Sequence, residues 1–430
     1  MSEINSILKD VRLPKVYKVK QKFEKKKIDD VRGDLIKKLN AKSWDIKKNQ
    51  KIAITAGSRG ISHYELLLKT IVDFVKSKGA IPFIVPAMGS HGGATAYGQE
   101  KMLKNLGIDK KTMGCEIISS MDVVKIGYAH DNLPVYIDKN AYRGDGIIIF
   151  NRVKMHTSFR GKYESGLIKM ISIGLGKRKG ADAIHAERFE HMADNILACA
   201  KVSLEKLKII GGVCTIENGY DEVADIFVLD KNEILQREPQ ILQKSKSLMP
   251  RIYLDDIDVL IVKEIGKNIS GTGMDTNVIG RFHTKAASGG PNITKVGILD
   301  LSNESLGNAN GVGLADFATK KLYNKINFDY TYLNALTSTE PNSIKLPMIL
   351  DNDELVIKAC AKTCGILDSN KIKLVIIENT KNLNELYMSK VAYGSVVEKN
   401  KVEIISNEKE ISFDEEGNLI IWYVKRILKF

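Results

Sequence analysis

The stretch KIAITAGSRGISHYELLLKTIVDFVKSKGAIPFIVPA, residues 51–87, decides the fold class. Its opening run, KIAIT, is short and apolar and predicts a buried strand, and the glycine-containing AGSRGI predicts a loop. The next segment, SHYELLLKTIVDFVKSKG, repeats apolar residues at helical spacing and is closed by Gly79. IPFIVPA then predicts a second strand. Strand, loop, helix and strand in this order are typical of an α/β layered domain.

The same alternation continues through the rest of the chain. MGSHGGAT predicts the next loop, YGQEKMLKNLG the next helix, and GDGIIIFNRV (144–153) another buried strand. DIDVLIVKEIG (256–266) starts a second series of strands and helices after a helical segment near 238–250. A length of 430 residues suggests two or three domains. We therefore expect two α/β domains, residues 1–240 and 241–430, with a ligand cleft between them.

Composition narrows the class of protein. The net charge is +13, from 65 basic and 52 acidic residues, but lysine is spread along the chain rather than clustered with arginine and aromatic residues. This pattern argues against a nucleic-acid site, although it favours attraction of an anionic substrate. The five cysteines are scattered and predict buried thiols in a reducing compartment. Neither a signal peptide nor a membrane-length apolar run is recognisable, so we expect a cytoplasmic protein without a membrane partner.

Three predicted loops carry reactive side chains where a strand ends. These are Arg59 in AGSRGI, His91 in MGSHGGAT and His156 after GDGIIIFNRV. Ligands of open α/β sheets bind at the carboxyl ends of strands, so the three residues are candidates for one site. Arginine beside free loop amides suits a carboxylate or phosphate, and histidine suits acid–base work. Each also has a plain structural alternative, as a surface arginine or a histidine that hydrogen-bonds a turn.

Two further candidates lie in the segment that follows His156. Lys169 stands in the apolar run GLIKMI, where a lysine either extends its amine to water or serves as a nucleophile. His185 in ADAIHAE could be an ordinary helix-face histidine, since a protein-only metal site needs three or four ligands. The glycine-rich loops match neither the Walker pattern nor G-x-G-x-x-G, so the usual ATP and NAD fingerprints are absent.

Taken in order and approximate spacing, Arg59, His91, His156, Lys169 and His185 resemble the nickel-pincer lactate racemase family. The resemblance implies an isomerase that racemises or epimerises a 2-hydroxy acid by hydride transfer to and from a nickel-pincer nucleotide. It further implies that His91 and His156 are the acid–base pair and that Arg59 contacts the cofactor or the substrate carboxylate. Lys169 would be the covalent tether of the cofactor and His185 the nickel ligand. Proteins that synthesise the pincer cofactor are then expected partners.

Two segments depart from the family pattern. Residues 164–168 read ESGLI where the lactate enzymes have a Ser-Gly-Gly run, and Asp275-Thr276-Asn277 is followed by Arg281 and His283 instead of a glutamine and a lysine. The resemblance therefore implies a substrate other than lactate, with Arg281 and His283 as substrate-binding candidates. Two alternatives stay open: a nickel-independent α/β protein that binds a phosphorylated metabolite or nucleotide, and a carrier of the pincer cofactor.

Overall fold

The computed structural model describes residues 3–58 and 60–420, apart from the side chain of Asp131, and the candidate Arg59 lies outside the described residues. The strands, in chain order, are β1 Val16–Gln21, β2 Lys51–Ala56, β3 Ile81–Pro86, β4 Glu116–Ile117, β5 Val123–Tyr128, β6 Pro134–Asp138, β7 Gly146–Arg152, β8 Ile209–Glu217, β9 Val223–Asp230, β10 Asp256–Ile265, β11 Asn292–Leu301, β12 Phe317–Thr319, β13 Met348–Leu350, β14 Leu374–Ile377, β15 Glu385–Ser389 and β16 Val402–Ile404.

The α-helices are α1 Glu3–Leu8, α2 Val31–Asn40, α3 Tyr64–Ser77, α4 Ala96–Asn105, α5 Lys110–Met113, α6 Lys139–Arg143, α7 Leu167–Lys169, α8 Lys177–His185, α9 Met192–Lys206, α10 Ile234–Leu248, α11 Thr276–Ile279, α12 Lys320–Asn324, α13 Phe328–Thr337, α14 Asp353–Thr363 and α15 Lys390–Gly394. A π-helix, Met170–Gly174, continues α7. Short 3-10 helices span Gly92–Ala94, His130–Asn132, Phe189–His191, Lys231–Glu233, Asn303–Ser305, Val312–Leu314, Pro341–Ile344, Ser369–Lys371 and Lys399–Lys401.

Two large sheets organise these elements. One has six strands in the order β4-β3-β2-β7-β8-β9, parallel except for the β8–β9 pair. The other has eight strands in the order β13-β12-β11-β10-β14-β15-β1-β16, parallel from β13 to β14 and antiparallel beyond. The hairpin β5–β6 forms a separate two-stranded sheet. The predicted α/β class is confirmed.

Each large sheet is buried on both faces. Ile52 and Ile54 of β2 pack into one apolar cluster, whereas Ala53 between them packs into another on the opposite face. β10 repeats this arrangement, with Leu260 and Ile261 in different clusters. Because successive strand side chains point to opposite faces, a strand covered by helices on both sides reads as a continuous apolar run. This explains the runs KIAIT, GIIIF and DVLIV.

The division at residue 240 stays a prediction. Residue 240 lies within α10, and β1, from the amino-terminal end of the chain, pairs with β15 and β16 in the eight-stranded sheet. The chain therefore crosses between the two sheets more than once. Within the described residues, no helix combines the length and apolar character needed to cross a membrane.

Candidate functional site

A cavity of about 530 Å³ is lined by loops that follow strands of both large sheets. In the six-stranded sheet β2, β3 and β7 run parallel, so the loops that follow them meet at one edge. These loops bring Ser58, His91 and His156 to the cavity. β10 of the other sheet is followed by residues 267–272 and 275, which also line it. Strand direction in the two sheets thus places the polar loops around one space.

Five predicted site residues line this cavity: His91, His156, Lys169, His185 and His283. Arg281 does not line it. Its guanidinium forms an ion pair with Asp316 at 2.7 Å and donates to the carbonyl oxygens of Leu314 and Thr294. The structure therefore brings His283 to the other candidates and places Arg281 elsewhere.

His91 lies in a tight loop between β3 and α4. Its Nδ1 is 2.5 Å from the hydroxyl oxygen of Ser58. The side-chain amide of Gln99, on α4, donates to the carbonyl oxygens of Gly89 at 2.9 Å and His91 at 3.2 Å. Gly92 adopts φ +66°, and a Cβ there would lie 2.7 Å from the backbone of residue 98, so the turn requires glycine. The loop is thereby fixed on both sides of the imidazole.

His156 and Lys169 are paired directly. The backbone N–H of Ser158 donates to His156 Nδ1 at 3.0 Å, and His156 Nε2 is 2.7 Å from Lys169 Nζ. Because Nδ1 accepts, a neutral ring carries its proton on Nε2, and Lys169 Nζ must then accept that proton as an unprotonated amine. A cationic Lys169 would instead leave the Ser158 N–H facing a protonated Nδ1. The hydrogen-bond pattern thus favours a neutral, nucleophilic amine.

Burial holds the pKa of His156 well below its ordinary value, and the charge that Lys169 carries when protonated lowers it further. The ring of Phe159 lies 4.3 Å from that of His156, which contributes to the low-polarity surroundings. His156 is therefore uncharged near neutral pH and can accept a proton only when its surroundings change.

Lys169 ends α7, and a π-helix begins at the next residue. π-helices are rare and frequently mark functional sites. The Glu238 carboxyl group, buried on α10, accepts the N–H of Ile168 at 3.0 Å and so caps the segment. A Cβ at Gly166 would lie 2.3 Å from a Glu238 oxygen, so glycine permits this approach. Burial raises the pKa of Glu238 to about 7, although the backbone N–H groups of α7 oppose the rise.

His185 and His283 stand on either side of Phe189. The ring of Phe189 meets that of His185 edge-on at 5.6 Å and that of His283 at 6.2 Å. Burial lowers the pKa of both imidazoles to about 4; Lys169 adds to the shift at His185, and Lys267 adds to it at His283. In the described part of the chain, neither buried Nδ1 has a hydrogen-bond partner. Both rings are neutral at pH 7, which is the form that binds metals.

The residues are consistent with a metal held mainly by a cofactor. Within residues 3–58 and 60–420, no group of three or more His, Cys, Asp or Glu is placed to hold a metal ion. A neutral imidazole at His185 and an amine at Lys169 border the same cavity. One imidazole donor and one amine fit a metal whose other donors come from a covalently attached group.

Contacts from the eight-stranded sheet's side fix the His156 loop. Lys154 Nζ pairs with Asp275 at 2.8 Å, and the hydroxyl of Thr276 donates to the Thr157 carbonyl at 2.6 Å. Burial alone would raise the pKa of Asp275, but Lys154 and the backbone N–H of Asn277 bring it below its ordinary value. Asp275 is thus a charged, buried partner for the loop that carries His156.

Sequence reasoning missed Glu238, Ser58 and the role of Asp275. Ser58 had a usable signal, because it precedes Arg59 in a loop already predicted to face the site. Asp275 belongs to the Asp-Thr-Asn segment, and nothing in that segment predicts its ion pair with Lys154. Glu238 stood in a predicted helix, and nothing local distinguishes it from a solvated glutamate.

One comparison with known proteins, a family model, agrees with the family expected from the sequence. Residues 5–196 match the family model described as the lactate racemase N-terminal domain. No curated protein matches the chain. Among solved structures, the chain is similar to that of the lactate racemase apoprotein from Thermoanaerobacterium thermosaccharolyticum, with 11% sequence identity and a TM-score of 0.49, over 85% of this chain and 98% of that one. The matched segment contains His91, His156, Lys169 and His185.

Proposed function

We propose that the chain is an isomerase that racemises or epimerises a 2-hydroxy acid other than lactate, because residues 5–196 match the lactate racemase N-terminal domain model. The observation that carries the proposal is the single cavity shared by His91, His156, Lys169 and His185. These four residues come from separate loops and helices. If each had only a structural role, there would be no reason for all four to line one cavity.

The acid–base work falls to His91 and His156. A 2-hydroxy acid has one hydroxyl proton to remove, and each of its two enantiomers needs a base placed near its hydroxyl group. In His91 the Nδ1 atom is engaged by Ser58, so Nε2 is the atom that would accept the proton. His156 could act as the second base through Nε2 only with its ring proton on Nδ1, so this role requires Nδ1 to give up the hydrogen bond from the Ser158 N–H. Arg59, by sequence position, would orient the substrate carboxylate.

The cofactor assignment follows from the same residues. Lys169 would hold a nickel-pincer nucleotide through its amine, and His185 would give the metal its one protein ligand. When bound, the cofactor supplies a hydride acceptor and donor, which avoids forming a carbanion beside a carboxylate. Proteins that build the cofactor would be obligatory partners in the cell. His283 would contact the substrate from the facing wall of the cavity.

The decisive experiment is expression together with the pincer-synthesising proteins. We expect an added mass on the intact chain and stoichiometric nickel, both lost in Lys169→Met but kept in Lys201→Met, a matched exposed lysine. His185→Ala should lose nickel, whereas His191→Ala, an exposed histidine, should retain it. Chiral chromatography of a panel of 2-hydroxy acids would then identify the substrate.

Each alternative gives a different result in the same experiment. Added mass and nickel without turnover of any acid would support a carrier of the cofactor. Absence of both, with binding of a phosphorylated metabolite, would support the nickel-independent alternative. Lactate as the best substrate would contradict the proposed specificity while leaving the reaction class intact.

A further inference from the structure

Lys177 is a buried cation that takes no part in the proposed chemistry. It is wholly inaccessible to solvent, as is its ion-pair partner Asp138 at 3.3 Å, and it does not line the cavity. Removing a lysine from water is costly unless acceptors surround the ammonium. A buried pair often contributes little net stability, so its position is more informative than its strength.

Three acceptors surround the ammonium group. Lys177 donates to the carbonyl oxygen of Pro86, the last residue of β3, and to Oε1 of Gln99 at 3.2 Å, and it pairs with Asp138. Two of these contacts are hydrogen bonds and the third is an ion pair, so the buried charge is compensated. Asp138 uses its other oxygen to accept the N–H groups of Asn140 and Ala141 at 2.8 and 2.9 Å. The cation therefore ties the end of β3 to the starts of α4 and α6.

Gln99 links Lys177 to the loop that carries His91 through hydrogen bonds of its side-chain amide. Its carbonyl oxygen accepts from Lys177, which orients the amide so that its NH₂ group donates to the carbonyls of Gly89 and His91. The backbone N–H of Gly89 donates in turn to the Gly174 carbonyl at 3.2 Å, in the π-helix that follows Lys169. A second, backbone connection thus links the same loop to the segment of the predicted tether.

The backbone at Lys177 also indicates that its side chain is required. It has φ +53°, in the left-handed region that glycine or asparagine occupies at lower cost. It is the first residue of α8, the helix that ends at His185. The contacts of the Lys177 amine with Pro86, Gln99 and Asp138 explain why a lysine is held in this conformation.

We propose that Lys177, acting through Gln99, is a positioning residue that fixes the His91 loop relative to the segment carrying Lys169 and His185. The network itself is independent of the chemistry, but its value for catalysis rests on the proposed function. It would keep the His91 imidazole in place beside a ring tethered to Lys169. Its loss should loosen the loop while leaving the fold and the tether intact.

The test uses three variants and one control. Gln99→Met removes the acceptor and both donors, and Gln99→Glu keeps an acceptor for Lys177 but loses the two donors. The double variant Lys177→Met with Asp138→Asn removes both charges together and retains the cap of α6. Arg178→Met, which changes an exposed residue next to Lys177, is the control.

Amide hydrogen exchange of the unloaded protein decides the structural part. We expect amides of residues 89–95 to exchange at least tenfold faster in all three variants, while amides of β10 and β11 stay as protected as in the control. Gln99→Glu should leave α8 protected, because Lys177 remains satisfied. Exchange in residues 89–95 within twofold of wild type in Gln99→Glu would overturn the proposal, whether or not the double variant folds.

Kinetics of the cofactor-loaded protein decide the catalytic part. We expect kcat to fall at least tenfold in Gln99→Glu, with KM and the added mass on Lys169 unchanged. Faster exchange with unaltered kcat would contradict a positioning role. A wild-type protein without any racemase activity, but with the expected exchange pattern, would refute the proposed reaction and leave the loop connection standing.

Discussion

Glu238 offers a direct test of how the lysine segment is held, because its buried carboxyl caps α7. Burial raises its pKa from 4.5 to about 7. In the unfolded chain the carboxyl ionises near its ordinary pKa, so between these two values the folded protein binds the extra proton. Its stabilising contribution is therefore complete below pH 4.5 and is lost as the pH rises through about 7. Glu238→Gln should remove this dependence, since the amide oxygen can still accept the Ile168 N–H.

The magnitude follows from the two pKa values. Between pH 5 and pH 8, wild type should lose about 2.5 kcal/mol of unfolding free energy relative to Glu238→Gln, at about 1.4 kcal/mol per pKa unit. Urea unfolding of both proteins across this range measures the difference. Glu205→Gln, an exposed carboxylate on α9, is the control and should run parallel to wild type. Parallel curves for Glu238→Gln and wild type would refute the assignment of a protonated, buried cap.

Three further outcomes are expected. An acylating ester at pH 7 should modify Lys169 at least tenfold faster than the exposed Lys201. His156→Phe should abolish this preference, because no imidazole then orients a neutral amine. Peptide mass spectrometry measures both rates. Asp275→Asn should lower the free energy of unfolding, measured in urea, by about 1–2 kcal/mol. This loss is smaller than that for a fully buried ion pair, because the Lys154 side chain is 31% exposed. An unchanged urea midpoint would contradict the role of this ion pair. Gly174→Ala should lower the melting temperature, because a Cβ there would lie 2.7 Å from the Ala87 carbonyl oxygen. The expected loss of stability is about 1–3 kcal/mol. Gly394→Ala is the control and should leave the melting temperature unchanged, since a Cβ there meets nothing within 4 Å.

The sequence predicted the parts of the fold that depend on local pattern. The strand and helix of residues 51–77 and the strand of 81–86 lie within a few residues of the predicted bounds. His91 and His156 could be placed at strand ends because parallel strands share one carboxyl edge. Lys169 was singled out by its apolar surroundings alone. These signals are local, since each needs only a short window of sequence.

The remainder depends on contacts between distant positions. Glu238 reaches α7 from 70 residues further along the chain, and Asp275 reaches Lys154 from the other sheet. The π-helix after Lys169 has no periodicity that distinguishes it from an α-helix in sequence. Arg281 is a substrate candidate because it follows the Asp-Thr-Asn segment where the family pattern has other residues, but nothing near it in sequence predicts the Asp316 carboxylate that engages it. Side-chain pairs of this kind follow from the packing of whole elements.

If Lys169 holds the cofactor as proposed, its contact with His156 would connect cofactor attachment with catalysis. Before attachment, Nε2 of His156 is occupied by the amine, and burial together with a protonatable Lys169 keeps the pKa of the imidazole low. Attachment of the amine would remove the charge that Lys169 can carry, whereas burial and the neighbouring His185, His283 and Arg160 would continue to lower this pKa. Nε2 of His156 would then be released from the free amine, and with the ring proton moved to Nδ1 it could accept the proton of a substrate hydroxyl. On this argument one side chain serves two successive purposes: it holds Lys169 in its reactive form, and it becomes a general base once that form has been consumed.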